Sequence, residues 1–130
     1  MKILVGLDGS KSSKEALSLA KKHAKTFNAM IDLVISMEKG TETQQKEIED
    51  SEHDLENAKK LLEKDGISCD THLLIRGMAP GEDIVEFAEK NEVDEIVIGV
   101  KRRSKVGKLV FGSTAQHVIL NAHCPVVTVK

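Results

Sequence analysis

Five short runs of aliphatic residues punctuate the chain, and the first, Ile3-Leu4-Val5 ahead of Gly6, has no polar side chain to turn toward water. A run that is continuous rather than alternating marks a strand buried on both faces, as in a parallel sheet. Met30 to Met37 reads the same way, interrupted by Asp32, and Ile67 to Ile75, Glu95 to Ile98 and Val126 to Val129 complete the set. The segments between them carry helical periodicity. Ser12 and Glu15 stand at capping-box spacing before Ala16, Leu17, Ala20, Ala24 and Phe27. Gln45 to Lys64 has a narrow apolar stripe (Ile48, Leu55, Ala58, Leu62) and an acidic, solvated remainder, and Gly66 stops it. Pro80 suits the first position of a helix carrying Ile84, Val85, Phe87 and Ala88. A last helix begins at Gly112-Ser113-Thr114, runs through Ala115, Val118, Ile119 and Ala122, and is broken at Cys124-Pro125. Strict β-α alternation over 130 residues predicts one α/β domain spanning residues 1–130. Its architecture is three-layered and doubly wound, a parallel five-stranded sheet with helices on both faces and right-handed crossovers.

The chemistry concentrates after the fourth strand. Gly99 is followed by a segment carrying Lys101, Arg102, Arg103, Lys105 and Lys108 with no acidic residue, which leads into Gly112-Ser113-Thr114. A basic loop running into a helix N-terminus is an anion trap, because first-turn amides lack intrahelical partners and the dipole's positive end faces the ligand. Phosphate is the anion this predicts. Asp8 lies just past the first strand, where it can serve either a ligand or a plain Asx turn. If the strand order is 3-2-1-4-5, which the alternation alone does not fix, the loops after strands one and four flank the point where the winding reverses, and open α/β sheets bind ligands there.

Composition narrows the remaining classes. A net charge of -2 and a pI near 6.2 give no whole-molecule attraction to nucleic acid or to anionic lipid. Aromatic residues are only 2% of the chain, which removes the stacking platforms of single-strand binders. No apolar stretch approaches the roughly 20 residues of a bilayer span, so neither nucleic acid nor membrane is expected as a partner. Cys69 and Cys124 have no metal-like spacing and read as small core residues, and the five histidines show no ligand spacing. Together with an N-terminus that lacks a signal-peptide stretch, this implies a cytoplasmic setting. No GxxxxGK[ST] element is present, and Asp8 is the one carboxylate well placed for hydrolysis, so the chain reads as a binding protein rather than an enzyme.

Four pieces in order, Val5-Gly6-Leu7-Asp8-Gly9-Ser10, Gly77-Met78-Ala79-Pro80-Gly81-Glu82-Asp83-Ile84, Gly99 with Gly112-Ser113-Thr114, and His123-Cys124-Pro125-Val126-Val127-Thr128-Val129, resemble the universal stress protein family along essentially the whole chain. The resemblance implies the 3-2-1-4-5 order, a cytoplasmic homodimer and, in one branch of the family, ATP held by a G-x2-G-x9-G-[ST] motif. That motif falls on Gly99, Arg102, Gly112 and Ser113, with Thr114 next to it. Arg102 replaces the second glycine, which exchanges bare backbone for a guanidinium able to grip phosphate bidentately. By the same resemblance Asp8 stands beside the ribose or base, Gly6, Leu7 and Ile98 line the nucleoside pocket, and Ser36 falls where a hydrophobic residue's backbone usually contacts the adenine. The implied ligand is ATP, ADP or AMP, with Mg2+ arriving on the nucleotide.

Two readings stand at this point. One is a nucleotide-binding regulatory protein of the stress response. The other is a nucleotide-free dimeric interaction module, to which Arg102 and Ser36 point. In both, Val126 to Val129 is an edge strand on which a second copy pairs, forming an isologous homodimer.

Overall fold

The computed structural model describes residues 1–38, 45–100 and 112–130. Lys39, Gly40, Glu42 and the basic residues from Lys101 to Lys108 lie outside the described residues. The element order is β1 (Lys2–Gly6), α1 (Lys11–Phe27), β2 (Met30–Met37), α2 (Gln45–Lys64), β3 (Cys69–Ile75), α3 (Pro80–Lys90), β4 (Glu95–Gly99), α4 (Ser113–Asn121) and β5 (Val126–Val129). All pairings are parallel and the order across the sheet is β3-β2-β1-β4-β5.

Pleating divides the strand residues between two cores. Ile3, Val5, Ile31, Leu33, Ile35 and Val97 face α1 and α2, where they meet Ala16, Ala20, Leu55 and Leu62. Leu4, Val34, Ile96 and Ile98 face α3 and α4, where Ile84, Phe87, Ala115 and Val118 cover them. Ile3, Leu4 and Val5 are 0% exposed, as their unbroken apolar run requires. Each such side chain contributes about 1.5–3 kcal/mol on leaving water.

Local details depart from the sequence reading in three places. Helix α1 is capped by Ser10, not by a Ser12–Glu15 box. Gly9 at φ 81° turns the chain, after which Ser10 Oγ accepts from the Ser13 amide at 3.1 Å and the Ser13 hydroxyl donates back to the Ser10 carbonyl at 2.9 Å. Strand β3 starts at Cys69, because the Ile67 amide still closes the end of α2 on the Leu62 carbonyl at 3.0 Å. Phe27 and Ile119, placed on apolar stripes, are 56% and 42% exposed.

Burial pushes the Cys69 thiol up to about 12, and desolvation also raises that of Cys124. Both therefore behave as small packing residues.

Strand β1 lies between β2 and β4, with Val5 opposite both Leu33 and Val97. The chain winds outward through β2 and β3, then crosses back to β4, so the loops after β1 and β4 part at their carboxyl ends. Gly99 is what lets α1 settle there. A Cβ on Gly99 would stand 2.5 Å from the Ser12 carbonyl carbon and 2.7 Å from its oxygen, atoms that belong to backbone and cannot swing aside. Gly99→Ala is expected to lower stability by about 2 kcal/mol, the usual scale of overpacking. Urea unfolding measures it, and a loss under about 0.5 kcal/mol would show that α1 shifts at little cost.

Candidate functional site

A cavity of about 240 Å³ opens at the winding reversal. Gly6, Leu7 and Asp8 from the end of β1 form one side, and Ile98 and Gly99 from β4 form the next. Gly112, Ser113 and Thr114 close it from the start of α4. Ser36 joins from β2, where its side chain points to the same sheet face as Val34. Nine of the ten residues singled out in the sequence thus surround one space, while Arg102 lies outside the described residues. Val34, Ile84 and Ile98 supply an apolar floor and the chain ends supply polar groups at the rim, a division suited to a flat base with a charged tail.

The start of α4 opens onto this cavity. Gly112 is the N-cap and makes no side-chain cap bond, so no hydroxyl or carboxylate at the cap position occupies the first-turn amides. Asp8 makes the Asx turn expected of it. Its Oδ1 accepts from the Ser10 amide at 2.9 Å in an Asx turn, and the residue also borders the cavity. The turn fixes the carboxylate's direction.

Sequence reasoning missed the polar group behind the cavity wall. Asp83, in the first turn of α3, is 0% exposed. Its Oδ1 receives Arg76 Nε at 2.6 Å as well as Nη2, and its Oδ2 receives the Ser36 hydroxyl at 2.8 Å. Arg76 Nη2 also donates to the Asp83 carbonyl at 3.3 Å. One carboxylate therefore ties the ends of β2 and β3 to the start of α3, where the helix dipole favours negative charge. The available signal was helical phase. Asp83 stands four residues before Phe87 on the buried stripe of α3, a position where a charge needs a partner.

Two histidines also have carboxylate partners. His72 Nε2 lies 3.0 Å from the buried Asp32, with its ring 4.6 Å from that of Phe87, and His23 Nδ1 lies 2.7 Å from Glu95. None of these residues borders the cavity. Among the described residues no group of three His, Cys, Asp or Glu side chains could hold a metal ion, and no helix is long and apolar enough to cross a membrane.

A family model described as the universal stress protein family matches residues 1–130. The chain belongs to the universal stress protein family. It is 35% identical to the universal stress protein MJ0531 of Methanocaldococcus jannaschii, over 99% of this chain and 81% of that one. A solved universal stress protein from Archaeoglobus fulgidus is 37% identical and superposes with a TM-score of 0.90, covering 100% of this chain and 98% of the other. A universal stress protein structure from the same organism, in complex with dAMP, is 33% identical with a TM-score of 0.84 and the same coverage.

Within this universal stress protein fold, Arg76 is the partner that makes a buried Asp83 tolerable. Arg76→Met, which keeps the apolar stem, is expected to cost about 3 kcal/mol, the low end for stranding a buried charge because the guanidinium is itself partly solvated. A denaturation midpoint that implies less than about 1 kcal/mol would mean that water reaches Asp83.

Proposed function

We propose that this universal stress protein is a non-enzymatic regulator of a cytoplasmic stress response that binds an adenine nucleotide, ATP, ADP or AMP, in the cavity at the β1/β4 reversal. The observation carrying this reading is the convergence of Gly6, Leu7, Asp8, Ile98, Gly99, Gly112, Ser113 and Thr114 on one space. It is supported by a relative of 33% identity whose structure is in complex with dAMP. The base would lie on Val34, Ile84 and Ile98, with Asp8 beside the ribose. The phosphates would meet the first-turn amides of α4 and the hydroxyls of Ser113 and Thr114. Lys101, Arg102, Arg103 and Lys105 precede that turn in sequence and would add charge attraction. With no three-ligand cluster among the described residues, Mg2+ would come as the counter-ion of a di- or triphosphate. The protein's part is binding and orientation.

Isothermal titration tests this reading. AMP and ATP-Mg are expected to give saturable heat, and Ser113→Ala is expected to weaken binding about tenfold, the scale of one lost hydrogen bond to a charged group. No heat from either ligand at millimolar concentration, on protein of verified fold, would overturn the assignment.

We further propose that β5 pairs with a second copy to make a homodimer through Val126 to Val129. β5 is an edge strand, and Leu120 on neighbouring α4 is 73% exposed beside Ile119. The Pro125 and Val129 carbonyls accept from the amides of Ile96 in β4 and Val100 just after it, so by alternation Val126 and Thr128 turn their backbone groups outward. Thr128→Pro removes an outward N–H and leaves the bonds to β4 intact. Sedimentation is expected to show a monomer for this variant and a dimer for the parent. A variant that remains dimeric would place the contact elsewhere.

A further inference from the structure

We propose that Ser36 sets the base preference of the cavity, selecting a purine with a 6-amino group over one with a 6-oxo group. The inference rests on reading the cavity as a nucleotide site and adds the atom that discriminates within it.

The argument starts from the single proton of the serine hydroxyl. Ser36 Oγ donates that proton to Asp83 Oδ2 at 2.8 Å. The carboxylate cannot return one, since its oxygens only accept and Arg76 already donates to the other. Asp83 is 0% exposed, so no bulk water can replace the Ser36 hydroxyl as donor there. Turning the proton toward the cavity would leave a buried charged acceptor short of a partner, and a hydrogen bond to a carboxylate is among the stronger kinds. The proton is therefore committed, and what Ser36 shows the cavity is its lone pairs.

An acceptor-only oxygen beside an apolar floor of Val34, Ile84 and Ile98 fits a base edge that carries N–H. With the 6-position turned toward Ser36, the exocyclic amino group of adenine supplies one, whereas in hypoxanthine and guanine the nearest N–H sits on the adjacent ring nitrogen. The carbonyl of hypoxanthine or guanine at the same position would bring lone pairs against lone pairs, and both oxygens would lose hydrogen bonds on entering the site. A hydrophobic side chain at position 36 could make no such distinction. Asp83 and Arg76 act through Ser36 as positioning residues: they do not border the cavity but decide which way the hydroxyl points.

The test is calorimetric titration of AMP against inosine monophosphate, which differs at the 6-position and the adjacent ring nitrogen, on the parent, Ser36→Ala and Asp83→Asn. The parent is expected to prefer AMP by about tenfold or more. Ser36→Ala is expected to reduce the AMP-to-inosine ratio by about tenfold, by weakening AMP while inosine monophosphate holds or gains. Asp83→Asn can offer an amide N–H to Ser36 and release its proton, and is expected to lower the ratio too. Should Asp83→Asn fail to fold, Ser36→Ala decides alone, with its thermal melt as the control for structure. An unchanged ratio in Ser36→Ala, or equal weakening of both ligands, overturns the assignment to Ser36 while leaving nucleotide binding in place. A parent protein that binds neither ligand refutes the nucleotide reading itself.

Discussion

The middle of strand β1 has no surface of its own. Ile3 and Val5 are sealed by one pair of helices and Leu4 by the other, and both backbone edges are paired, to β2 and β4. Five residues thus hold both layers and both halves of the sheet in register, and hydrophobic burial on this strand is what everything else is referenced to. Because the chain must leave β1 toward β2 and later return on its other side at β4, the carboxyl ends of those strands cannot be bridged by one loop. The cavity is the space left by that winding. Its rim is formed largely by strand and helix ends that carry short polar side chains.

Polar groups near this space are organised by turns and caps rather than by regular structure. Asp8 is held by the Ser10 amide, Ser10 in turn caps α1, and the start of α4, whose N-cap glycine offers no side-chain cap bond, borders the same region. Behind the wall, the Asp83 carboxylate joins β2, β3 and α3 through Ser36 and Arg76. A buried ion pair of this sort adds little net stability once desolvation is counted, but removing one partner is costly, so its chief effect is to fix geometry. The neighbouring Asp32–His72 pair, on the same sheet face, adds a second polar contact between β2 and β3.

The sequence carried the layout of this fold in its apolar phases. Continuous runs marked the strands, 3.6-residue spacing marked the helices, and Pro80 and Gly66 marked ends where the structure has them. Strand order followed from a family resemblance together with the handedness of crossovers, since no single residue encodes a neighbour across a sheet. What stayed hidden depended on distinctions of ångströms. Ser10, Ser12 and Ser13 are equivalent as letters, and only the turn at Gly9 decides that Ser10 is the cap. Asp83 drew no notice in the sequence, although helical phase sets it one turn before Phe87 on the buried stripe of α3. Ser36 and Arg76 lie 40 residues apart in the sequence, so their common partner emerges only once β2 and β3 pair.

The packing of Gly99 on Ser12 divides the cavity into two walls of different tolerance. On the β4 side the same backbone that borders the cavity is also the seat of α1, so any side chain introduced there disturbs helix docking together with ligand contact. On the β2 side, Ser36 presents its hydroxyl from a strand whose main chain is already secured by β1 and β3. Redesign of what the cavity accepts therefore has room at position 36 and almost none at 99. A protein engineer or a drifting lineage would find the molecule adjustable from one flank only.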